Sequence, residues 1–169
     1  MTSIKIYVAC LASYNAGRLH GTWIDLEGLD GEDTHKAIQD QVIKTSPQWD
    51  AEEWAIHDFE SPVSLGEGED LAALCKLSEA IDEHGEAFAV YVNVRHLETP
   101  KNISEVVDEF KDRYRGEWAS FQEYVEDTLW GEIESQIPAG LFRHFDWESY
   151  ARELEQEYCT EDGHVFSRS

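Results

Sequence analysis

Basic side chains are scarce in this chain. Lys and Arg number 13 against 36 Asp and Glu in 169 residues, a formal net charge of -23 at pH 7. A nucleic-acid binder of the usual kind presents a basic face to phosphates, so that class is excluded. Anionic membrane surfaces are disfavoured for the same reason. No apolar run approaches the roughly 20 residues that a spanning helix needs. The opening Met1-Thr2-Ser3-Ile4-Lys5 lacks the basic-then-apolar layout of a secretory signal. Cysteine is sparse too. Cys10, Cys75 and Cys159 are odd in number and far apart, which reads as reduced thiols in a cytoplasmic protein and not as a disulfide framework.

Spacings that carry chemistry are also missing. The His residues at 20, 35, 57, 84, 96, 144 and 164 form no HxxxH or HExxH, and no CxxC exists, which argues against a zinc site. There is no GxxxxGK[ST], GxGxxG or GxSxG. The acidic stretch 25–33 superficially resembles a calcium loop, but it lacks the alternating ligands and the twelfth-position acid. Ser13 and Cys10 have no evident base partner. No catalytic residue, metal or cofactor is therefore expected. A hydrolase built on two carboxylates would need them at a set separation in a cleft, which sequence cannot show.

What is present is apolar material for a core: 41% hydrophobic residues and 12% aromatics. A disordered acidic tail lacks such aromatics. The acidity runs the whole length, with net charges of -7 over residues 1–60, -5 over 61–104 and -11 over 105–169. Self-repulsion of that size destabilises a compact state. Either it serves solubility or adaptation to high salt, or it addresses a basic partner that normally holds a polyanion.

The patterning predicts an α+β protein. Ile4, Ile6, Val8 and Cys10 alternate as a strand; residues 21–26 can return as a second, and 53–59 as a third. Asp33 or Thr34 can cap a helix running to about residue 45. Residues 61–68 are rich in helix and strand breakers. Asp70 can cap a helix over 71–82, with Gly85 just past its end. Residues 86–96 fit strand and helix spacing equally. A further helix opens at Asn102 or Ser104 with an apolar stripe Ile103, Val106, Val107, Phe110 and Tyr114, and Gly116 breaks it. Ser120 with Glu123 is a capping box for the next helix. Asp146 caps a last one, and residues 163–166 suggest a terminal strand. The expected organisation is three modules: 1–61 with a small antiparallel sheet and a helix, a mainly helical 62–103, and an α+β module over 104–169.

Several blocks carry a family likeness. The run Ile6-Tyr7-Val8-Ala9-Cys10-Leu11-Ala12-Ser13-Tyr14-Asn15-Ala16-Gly17-Arg18-Leu19-His20-Gly21-Thr22-Trp23-Ile24-Asp25 resembles the opening of the ArdA antirestriction proteins. Glu52-Glu53-Trp54-Ala55-Ile56-His57-Asp58-Phe59, Tyr114-Arg115-Gly116-Glu117-Trp118 through Trp130, and Phe145-Asp146-Trp147-Glu148-Ser149-Tyr150-Ala151-Arg152-Glu153-Leu154 resemble its later blocks, in order and at compatible spacing. The resemblance implies a protein of mobile genetic elements that inhibits type I restriction-modification enzymes. It further implies a DNA mimic, elongated, curved and homodimeric, seated in the DNA-binding groove of the methyltransferase core with no cofactor and no direct nucleic acid contact. An acidic adaptor for another basic protein is the alternative.

On this reading the mimicking surface comprises Asp25, Glu27, Asp30, Glu32, Asp33, Glu67, Glu69, Asp70, Asp82, Glu83, Glu86, Asp112, Glu117, Glu123, Glu126, Asp127, Glu132 and Glu134. The dimer seam is expected at Val106, Val107, Phe110, Tyr114 and Trp118, an apolar stripe beside the basic Lys111, Arg113 and Arg115.

Overall fold

The computed structural model describes residues 3–65, 70–97 and 102–169. Contacts divide the chain into two compact units, residues 1–108 and 109–169. The segment expected as a separate middle module lies within the first.

In the first unit, β1 (Lys5–Cys10) is the centre of a three-stranded antiparallel sheet, between β2 (Gly21–Asp25) and β3 (Trp54–Glu60). Period two works as expected: Ile4, Ile6 and Val8 are fully buried, while Lys5 and Tyr7 point to the other face. There Tyr7 pairs directly with Trp23, ring centroids 5.4 Å apart. A short helix α1 (Leu11–Asn15) and the turn at Gly17 (φ 75°) connect β1 to β2.

The helix that follows begins earlier than expected. Asp30, not Asp33 or Thr34, caps α2 (Gly31–Ile38). Thr34 is instead buried, its hydroxyl donating to the Asp30 carbonyl at 2.7 Å and lying 3.2 Å from Cys75 Sγ. The chain continues through one wider π turn over Gln39–Ile43. His20 Nε2 sits 3.0 Å from the Val42 carbonyl at that turn, so a side chain from β2's entry engages backbone at the irregularity.

Asp70 caps α3 (Leu71–Val94) as expected, and at Gly85 (φ 72°, ψ -159°) the helical path is broken. Only glycine adopts that conformation at little cost. The chain then re-enters a helix, which settles residues 86–94 as helical. Ala87, Phe88, Ala89, Val90, Tyr91 and Val92 are all buried, so the one-sided pattern that separates helix from strand is missing from the sequence. The helix packs on α2, and Ser78 Oγ accepts a hydrogen bond from the Ile4 amide at 3.3 Å. Each aliphatic side chain buried here contributes about 1.5–3 kcal/mol relative to exposure.

Helix α4 (Ile103–Arg113) spans the division between the units. In the second unit, residues expected to extend that helix form a strand instead: β4 (Tyr114–Glu117) pairs with β6 (His164–Ser167), which also pairs with β5 (Tyr158–Glu161). Gly116 (φ 102°) lies in β4. Helix α5 (Phe121–Gln136), a single turn α6 (Ala139–Phe142) and α7 (Trp147–Leu154) accompany this sheet. The core is Tyr124, Val125, Ala151 and Val165, ringed by Trp118, Phe121, Leu129, Trp147, Tyr150, Leu154 and Tyr158. Burial pushes the Tyr124 phenol up to about 12, with Tyr158 beside it adding to the shift. The expected α+β architecture, with a helical stretch between two small antiparallel sheets, is what the chain adopts.

Candidate acidic interface

Among the described residues three carboxylates cap helix starts. Asp30 Oδ1 accepts from the amides of Glu32 and Asp33, each at 2.8 Å. Asp70 Oδ1 accepts from the Ala72 amide at 2.9 Å. Asp146 takes the Ser149 amide at 3.0 Å and the Ser149 hydroxyl at 2.7 Å, and these bonds hold its carboxyl below the usual range. A carboxylate in such a cap satisfies orphan N–H groups and faces the positive end of the helix. Its charge therefore occupies a defined position.

The other acids are spread over surface. On the first unit, Asp25, Glu27, Glu32 and Asp33 are exposed around the β2–α2 turn, with Lys5 Nζ 3.8 Å from Asp25. Asp82, Glu83 and Glu86 are exposed on both sides of the Gly85 break. Glu67 and Glu69 lie outside the described residues. On the second unit, Asp112, Glu117, Glu123, Asp127, Glu132 and Glu134 are exposed, and Glu126 is half-buried with its Oε1 accepting from Gln122 Nε2 at 2.6 Å.

Helix α5 shows how the sequence makes such a surface. Phe121, Tyr124, Val125, Leu129 and Ile133 take the buried side of the helix, while Glu123, Asp127 and Glu134 share the opposite one at spacings near whole turns. The expected capping box is present: Ser120 Oγ accepts from the Glu123 amide at 3.1 Å, and Glu123 Oε2 accepts from the Ala119 amide at 3.1 Å. On the acidic side lies a hollow of about 540 Å³, lined by Glu123, Glu126, Asp127, Trp130 and Gly131. Sequence reasoning missed Trp130 and Gly131. The available signal was a glycine inside a run of helix formers.

The stripe expected at the dimer seam is partly occupied within one chain. Phe110 is 5% exposed and stacks on Tyr114 at 5.1 Å. The Tyr114 hydroxyl lies 3.1 Å from His164 Nδ1. Trp118 packs on the core, its Nε1 donating to the Arg115 carbonyl at 2.9 Å. Val106 and Val107 are half-buried.

The larger hollow of the first unit, about 720 Å³ beside the starts of α2 and α3, includes Leu29, His35, Leu71, Cys75 and Lys76 in its lining. Burial pushes the Cys75 thiol up, away from nucleophilic character. Among the described residues no three His, Cys, Asp or Glu are grouped to hold a metal ion, and no helix is long and apolar enough to cross a membrane.

These features define an acidic α+β protein that displays carboxylates from capped helices and turns. A family model described as antirestriction protein (ArdA) matches residues 6–166, and the chain belongs to the ArdA antirestriction family. No curated protein matches it significantly. Membership makes it a non-enzymatic antirestriction protein whose target class is the type I restriction-modification enzymes.

Proposed function

We propose that the chain is a DNA mimic that occupies the DNA-binding groove of a type I restriction-modification enzyme and competes with DNA for it. The observation that carries this reading is the exposure of every described acid of the expected surface except Glu126. Duplex DNA presents one charge per ~1.7 Å of axis, so 36 acids correspond to roughly 60 Å of duplex. Acids four residues apart on α5 are separated by about 6 Å of helix rise. That is coarser than the ~3.4 Å phosphate rise of one strand. The chain therefore copies the potential of DNA and not its phosphates one by one. Such a mimic engages the enzyme's phosphate-binding Lys and Arg and needs none of its base-reading groups, which lets it act across sequence specificities.

The test is competition between the full chain and a duplex for a type I methyltransferase core. Affinity is expected to fall at least about tenfold between ~0.05 and ~0.2 M salt, as charge pairing across an interface is screened. Binding that ignores salt overturns the mimic.

The same reading includes a homodimer. Of the stripe expected at its seam, Phe110 is buried and Tyr114 and Trp118 pack within the chain, while Val106 and Val107 are half-buried on α4. Arg113 is already paired with Glu109 at 2.9 Å and Arg115 donates to Ser167 Oγ at 2.9 Å, so the cluster's charge is partly committed within the chain. Wild type is expected to sediment as a dimer at micromolar concentration and Val107→Asp as a monomer. Identical behaviour of the two rejects this seam.

A further inference from the structure

We infer that the hollow on α5 receives one arginine side chain of the basic partner, with the Trp130 indole as its wall and Glu123, Glu126 and Asp127 as its counter-charges. The inference rests on the DNA-mimic reading and adds a discrete anchor to a surface otherwise read as diffuse charge.

Two residues set this place apart from the other acids. Trp130 is 47% exposed although it is a large ring in a unit with a small core. Its position is fixed: Trp147 stacks on it at 5.7 Å and 8°, and Phe142 meets it edge-on at 4.9 Å and 89°. An indole held this way loses little freedom when a ligand arrives. The neighbouring Gly131 is in the middle of α5, where glycine weakens a helix. Neither packing nor backbone explains it, since a Cβ there would meet nothing within 4 Å and the residue has no positive φ. What the missing side chain does is keep the hollow open beside the ring.

The lining selects its occupant. Three carboxylates alone would take a lysine or an arginine. A guanidinium is planar, stacks on an indole face and pairs with carboxylates through two parallel hydrogen bonds, which an ammonium cannot do. Glu126 is oriented for such a role by its bond to Gln122. A second copy of this chain is a poor occupant because it carries -23 itself. An enzyme groove that holds phosphates supplies arginines by its nature.

The experiment titrates the full chain with fluorescent nonapeptides of arginine and of lysine. Wild type is expected to favour the arginine peptide. Trp130→Leu and Gly131→Leu are each expected to lower the arginine-to-lysine affinity ratio about threefold or more, while lysine-peptide binding stays at the wild-type level because every carboxylate remains. Trp49→Leu, at a 96% exposed ring of the first unit, should leave the ratio unchanged. If Trp130→Leu loosens the aromatic cluster, Gly131→Leu decides, since it fills the hollow without removing any contact. An unchanged ratio in a folded Gly131→Leu protein overturns the arginine receptor while leaving the mimic standing. Failure of wild type to bind either peptide overturns the mimic itself.

Discussion

Converting Glu27, Glu32, Asp33, Asp82, Glu83 and Glu86 together to amides is expected to weaken competition for a type I enzyme about a hundredfold or more, whereas each single change costs fivefold or less. An exposed charge pair contributes about 0.2–1 kcal/mol, so one loss is small and six accumulate. All six are exposed on the first unit, and none caps a helix with its side chain, so the substitutions test charge and not fold. Glu32 and Asp33 sit in the first turn of α2 and lose a favourable dipole interaction of about 0.3–1 kcal/mol each. Relief of like-charge repulsion opposes that loss. Circular dichroism and the competition assay read the two effects separately. Complete loss from one amide in a folded protein would point to a single essential group, and full strength in the sixfold variant would remove these acids from the interface.

Gly21→Ala is expected to destabilise the first unit by about 3 kcal/mol, at the upper end of ordinary overpacking. A Cβ at Gly21 would lie 2.3 Å from the Val8 carbonyl oxygen and 2.9 Å from Ala9 Cα. Both are backbone atoms of β1, and Gly21 pairs with Ala9 in the ladder. The collision can be relieved only by drawing β2 away from the central strand. Glycine is needed here for closeness of approach and not for its torsions. Gly131→Ala makes the contrast: with no obstacle, it should stabilise α5 by up to about 1 kcal/mol through helix propensity. Urea unfolding of the two variants should shift in opposite directions. A Gly21→Ala midpoint at or above wild type would mean that the β1–β2 pair can yield where the packing says it cannot.

Local signals were the legible ones. Asp70, Ser120 and Asp146 were identifiable as caps because a cap is a bond between a side chain and an amide two or three residues on. The cap of α2 was misplaced since residues 30–34 offer Asp30, Asp33 and Thr34 in close succession. The choice fell to burial, which draws Thr34 inward against Cys75 on α3. Strand β4 was hidden for a different reason. Its partner β6 lies some fifty residues away, as the Tyr114–Phe166 pairing shows, and a four-residue segment has too little pattern to announce itself. The abundance of acids was legible, since 36 carboxylates run the whole length of the chain. The hollow at Trp130 was not, because it depends on Trp147 and Phe142 arriving from α7 and α6 to fix the ring.

In the first sheet β1 is central, so β2 and β3 are both edges. An open edge invites strand addition from another molecule, and Trp23, Ile24, Ile56 and Phe59 would make these edges adhesive. Asp25 on one and Asp58 and Glu60 on the other stand as gatekeepers, backed by the field of the whole chain. The acidity thus keeps copies of the chain from joining edge to edge. The net charge of the chain vanishes as acidity approaches the sequence pI of about 4.4. Mild acid is then the condition in which that field lapses, and the chain becomes prone to polymerise through its own strands.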